Sequence, residues 1–266
     1  MKDRALQDEV IRYLADGNVR AQGPHSAPIS AGEAAKAAQF AHFLARRYYR
    51  DRLARSFRYS HRFRKPTGRI AEEVVDGKEF DQFLTECVMG SLESAQRVGA
   101  MARAHLSTAP TPGTWWPDLL DYEYAYFLQA ATAERGASLD RPSPGVSALC
   151  RRFGWALPEL LPRLRAGEAP GGDLRREATL LFSRTHAGRI YVVEVESVME
   201  SVFRATDSHR TVDEIAEAAG VSAEQAHAML ASLSSIGAVE FPFWNPLAES
   251  PAEPGRSAIS RFSSSQ

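Results

Sequence analysis

The hydrophobic period of this 266-residue chain changes once, around a single segment, AGEAPGGD (166–173), whose Gly, Pro and small polar residues read as a linker. Before it, apolar residues recur at three- and four-residue intervals. After it come two short β-rich runs and then three more helical stripes. That switch predicts a mainly α fold, with an all-α helical domain over 1–165 and a small α+β domain over 174–246. The tail from Ser250, SPAEPGRSAISRFSSSQ, has too little apolar content to build a core and reads as disordered.

In the first domain a short helix precedes the breaker-rich loop AQGPHSAPISAG (21–32). Phe40, Phe43, Leu44, Tyr48 and Leu53 then share one helix face. The stripe from Phe80 to Met101 reads as one long helix running almost to His105, and WWPDLLDYEYAYFLQA gives another. A last helical piece is expected in SALCRRFGWALPELLPRLRAG, interrupted by Pro158 and Pro162.

In the second domain ATLLFS and RIYVVEV form a predicted hairpin turning at THAG, where Gly188 suits the turn. Three helix starts follow at capping-box spacing: Ser197 with Glu200, Thr211 with Glu214, and Ser222 with Gln225. Gly220 and Gly237 supply stops, and AVEF closes the unit. Hairpin, three helices and closing strand make a winged-helix-like unit of roughly 70 residues, enough for a small core.

Little in the chain points to chemistry of its own. The seven histidines include no i, i+4 pair, and the two cysteines, Cys87 and Cys150, form no metal or disulfide pattern, which fits a reducing compartment. No phosphate-binding glycine loop, dinucleotide fingerprint or nucleophile elbow occurs. The expectation is therefore no catalytic residue, no metal and no cofactor. Cys87 reads as a packed core thiol, whereas Arg151 and Arg152 could lower the pKa of Cys150. With no secretory h-region and no run of about 18 apolar residues, the chain is expected to be cytoplasmic and off the membrane.

Charge has to be read regionally, because the net is only −1. Eleven Lys and Arg lie between Lys36 and Arg69 against the single Asp51, interleaved with Tyr48, Tyr49, Phe57, Tyr59 and Phe63. Such a mixture serves a protein interface or single-stranded nucleic acid, or is a solvated face balanced by acidic segments such as AEEVVDGKEFD. A nucleic-acid-binding regulator using segment 46–69 is the alternative function. From Leu174 to Phe241, six arginines face ten acids, and the third helix, SAEQAHAMLASLSSIG, has no Lys or Arg. Such a unit is poorly suited to a phosphate-lined groove. It could instead accept an extended peptide on the edge Ile190, Tyr191, Val192, Val193, Glu194 and Val195, with Met229 and Leu233 near the groove. The competing view is a strand that only covers the core.

The stretch from GRIYVVEVES to SSIGAVEF resembles the PqqD-like RiPP recognition element, which binds leader peptides in ribosomal natural-product biosynthesis. That family has three strands before its helices, and the first is hard to find here. In the helical part RRYYRDRLARSFRY, DGKEFDQFLTECVMGSLESAQRVGAMARAHL and WWPDLLDYEYAYFLQA resemble the TglI-like and MbnC-like partner proteins of multinuclear non-haem iron-dependent oxidative enzymes. The resemblance implies a non-catalytic subunit in a heterodimer. Iron and catalysis would belong to the partner enzyme, and the peptide would be a precursor modified at cysteine, as in the 3-thiaglutamate pathway. Arg46, Tyr49, Arg50, Trp115 and Trp116 are the residues expected to dock on that enzyme or hold the peptide's reactive end. The competing view of the two tryptophans is that they pack beneath the following helix.

Overall fold

A computed structural model describes residues 11–17, 19, 31–133, 141–168 and 170–241. The disordered-tail expectation at 250–266 lies outside them. The fold is mainly α with small antiparallel sheets. Among the described residues no helix is long and apolar enough to cross a membrane. The chain divides into two compact units, 1–134 and 135–266.

The first unit is built on α1 (Ala31–Ser56), α2 (Lys78–Phe83), α3 (Leu92–Ser107) and α4 (Trp116–Ala131). The stripe expected as one long helix is two, α2 and α3. Gly90 has φ 86° and Ser91 caps α3 by accepting from the Ser94 N–H. The apolar spacing runs through the break because Leu84 and Cys87, in the connection, are as buried as the helical residues on either side. Aromatic rings fill the core. Tyr49 on α1 lies 6.2 Å from both Phe80 and Phe83 and 6.4 Å from Phe127, at the edge-to-face or tilted angles that ring quadrupoles favour. α3 approaches α4 closely at Gly99, where a Cβ would stand 2.7 Å from the Tyr124 ring. Glu123 on α4 is wholly buried and accepts from the backbone N–H groups of Tyr59 (2.6 Å) and Ser60 (3.2 Å), just beyond the end of α1.

The second unit begins earlier than the sequence suggests. Its main sheet has order β2-β3-β4, formed by β2 (Leu149–Phe153), β3 (Ala178–Arg184) and β4 (Ile190–Glu194), all antiparallel. LCRRF, expected to be helical, is thus a strand. Its five residues hold arginines and apolar groups that fit either period, and pairing with β3 decides between them. Only after it does α5 (Leu157–Ala166) start, with Pro158 in its first turn. The segment 166–173 therefore connects α5 to β3 within one unit and does not divide two domains, so the expected boundaries at 165 and 174 move to 134/135.

The predicted hairpin forms, with Gly188 at φ 83° in its turn and Thr185 and Arg189 paired across it. α6 (Ser197–Ala205), α7 (Val212–Ala219) and α8 (Ala223–Ser235) follow. Thr211 with Glu214 and Ser222 with Gln225 form complete capping boxes. The first expected box does not form. Glu196 is the N-cap of α6, and Glu200 turns away to Arg204 and Arg152. The closing strand β5 (Val239–Glu240) pairs with β1 (Ser143–Pro144) instead of joining the main sheet. Leu181, Val202, Phe203, Ile215, Leu230 and Leu233 form the core between sheet and helices.

Candidate functional site

β4 is an edge strand, and its register decides which backbone groups are open. The bonds from Val195 N–H to Thr179 and from Thr185 N–H to Arg189 flank the β3–β4 pairing. Hydrogen-bonded pairs alternate along an antiparallel ladder. Tyr191 and Val193 therefore turn their N–H and C=O toward β3, while Ile190, Val192 and Glu194 turn theirs outward. Among the described residues no strand lies across that edge. The run Ile190–Val193 is apolar, free of proline and only half-buried. Natural sheets ordinarily blunt or cover such an edge.

The expected peptide residues separate accordingly. Val193 and Val195 place their side chains on the helix-facing side, packed against the core, and Met229 on α8 is half-buried there. Leu233 is not at a groove. It is 2% exposed, and its place is the core. Ile190, Val192 and Glu194 lie on the opposite face, where Arg176 donates to both Glu194 (3.0 Å) and Glu159 on α5 (2.5 Å).

At the C-terminal end of β4 opens a cleft of about 560 Å³ whose charged lining is Glu177, Glu194, Glu196, Glu200 and Arg152. Burial works against the charge of Glu200, yet Arg204 at 2.9 Å and Arg152 at 3.4 Å hold its carboxyl below the usual range. Of these residues only Glu194 was expected at a site, as part of the peptide edge. Glu200 read as a helix cap, and Arg152 lay in a presumed helix.

Cys150 lines no reactive site. Burial, with the nearby Glu200 carboxylate adding to it, pushes its thiol up to about 11, opposite to what the flanking arginines suggested. The thiolate is the reactive form, so alkylation of native Cys150 at pH 8 is expected to be about two orders of magnitude slower than that of an ordinary thiol. Mass spectrometry after timed iodoacetamide treatment checks this, and rapid native labelling would contradict it.

In the helical unit the expected docking group does not gather on a surface. Tyr49 is fully buried, and Trp115 and Trp116 are 6% and 2% exposed, packed edge-on or tilted against each other and Phe63. Aromatic packing into the core explains all three. Arg46 pairs with Asp81 and Arg50 with Asp76, both within the acidic stretch AEEVVDGKEFD. Exposed ion pairs of this kind contribute up to about 1 kcal/mol each. Of the aromatics interleaved with the arginines, Tyr49, Phe57 and Tyr59 are buried and offer no face for a nucleic-acid base.

Among the described residues no group of three or more His, Cys, Asp or Glu could hold a metal ion. Neither any protein-family model nor any curated protein sequence matches this chain.

Proposed function

We propose that this chain is a non-catalytic partner subunit in ribosomal peptide natural-product biosynthesis. Its C-terminal unit would bind the leader of a precursor peptide along β4. Its helical unit would dock on a cytoplasmic iron-dependent oxidative enzyme that modifies a cysteine of that peptide. The observation that carries the reading is the open, apolar edge of β4, whose outward N–H and C=O groups suit strand addition by an extended peptide. The order of three antiparallel strands before three helices supports a PqqD-like, winged-helix-like unit. In this reading β2 would take the place of the family's first strand, with α5 inserted after it. For the helical unit the support is α1, on which Phe40 and Phe43 stand 51% and 55% exposed with their rings 6.4 Å apart. Exposed aromatics beside arginines are typical interface anchors.

The purified chain supplied with Fe(II), oxygen and a precursor peptide should bind the peptide and leave its mass unchanged. Stoichiometric iron together with a mass change in the peptide would make the chain an enzyme. If the Arg-rich segment instead serves nucleic acid, a labelled oligonucleotide should bind with an affinity that falls steeply as salt rises.

A further inference from the structure

We propose that the peptide taken up along β4 carries a lysine or arginine whose charged head enters the cleft at the strand's C-terminal end, between Glu177 and Glu196. This rests on β4 being the peptide-docking edge. Two of the four carboxylates lining the cleft are already answered within the protein, Glu200 by Arg152 and Arg204, and Glu194 by Arg176. Glu177 and Glu196 are exposed, and among the described residues neither makes an ion pair. The first turn of α6 adds a partial positive charge, which the N-cap position of Glu196 offsets. The cleft is left with room and charge for one cation.

The occupant follows from continuity. Glu194 both lines the cleft and is the last β4 residue whose backbone faces outward. A ligand paired beside Glu194 therefore sets its neighbouring side chain at the cleft mouth, where half-buried Val195 offers apolar contact to a lysine or arginine stem. A peptide joins these two features, and a free cation uses only one. The competing occupant is a second copy pairing β4 with β4. Its five-residue overlap falls short of the roughly 1,200–2,000 Å² that stable protein interfaces bury.

The test is a displayed library of random nonapeptides selected against the full chain. Enriched sequences should alternate β-branched residues and share Lys or Arg at one fixed position, lying toward the peptide N-terminus if the added strand is antiparallel. A synthetic peptide of the enriched sequence should lose about tenfold or more in affinity when that residue becomes methionine, and equally when the protein carries Glu177→Gln with Glu196→Gln. Glu217→Gln, an exposed acid on α7, should change nothing. Enriched peptides with no basic preference, or indifferent to the double variant, overturn the cleft assignment and leave β4 as the docking edge. Failure to enrich any peptide, or sedimentation showing a dimer that enriched peptides do not dissociate, overturns the edge reading itself.

Discussion

Replacing Glu123 with alanine is expected to cost the helical unit about 3–5 kcal/mol, because it strands two buried donors as well as opening a cavity. The carboxyl group is wholly buried and accepts from the N–H groups of Tyr59 and Ser60, so it closes the turn that follows α1. Burial pushes its carboxyl up to about 8, with the Ser60 and Tyr59 hydrogen bonds opposing. The folded protein thus binds this proton more tightly than the unfolded chain does, and the sign follows directly. Stability from this group is greatest below the ordinary carboxylate pKa of about 4.3 and falls as pH rises toward 8, by at most about 1.4 kcal/mol per unit. Glu123→Gln keeps an acceptor for the two amides and cannot ionise. Urea unfolding at pH 5 and pH 8 should therefore show a larger loss for the native protein than for the glutamine variant. Equal losses would mean that the carboxylate is charged in the fold.

The second large effect distinguishes two neighbouring valines. Val193 directs its N–H to Leu181 on β3 and its side chain into the core, so Val193→Pro should cost about 3 kcal/mol or more and disrupt the C-terminal unit. Val192 directs its N–H to the open edge, so Val192→Pro should stay within about 1 kcal/mol of native stability, as proline on an edge strand does. Peptide affinity should nevertheless fall about tenfold or more in the folded Val192→Pro protein, since one donor is lost and the ring obstructs pairing. Thermal unfolding and fluorescence anisotropy of a labelled peptide separate the two outcomes. A folded Val192→Pro variant with undiminished affinity would move the site away from β4.

The valine contrast shows what the sequence could and could not carry. The β-rich run RIYVVEV placed a strand over 189–195, where β4 spans Ile190–Glu194, and two capping boxes placed α7 and α8, because these signals are local. Which amides of β4 face outward depends on its pairing with β3, a nonlocal fact that only the register supplies. The same holds for LCRRF, whose strand character comes from its partner, and for Leu233, whose position on a helical stripe could not distinguish core from groove. Tyr49, Trp115 and Trp116 looked like interface anchors by residue type, yet the helical unit spends its aromatics on its own core. The balancing of Arg46 and Arg50 by AEEVVDGKEFD was legible because unlike charges in quantity have few other places to go. The cleft was not legible, since it joins residues from three strands' ends and the start of α6.

An extended peptide is expected to complete the open edge of β4. Amide hydrogen exchange, followed residue by residue with and without the tightest-binding displayed nonapeptide, is the measurement that decides this. Strand addition predicts that the amides of Val192 and Glu194 slow markedly on binding, while those of Tyr191 and Val193, already bonded to β3, change little. Protection confined to α1 or α8, with the β4 amides exchanging as before, would contradict it.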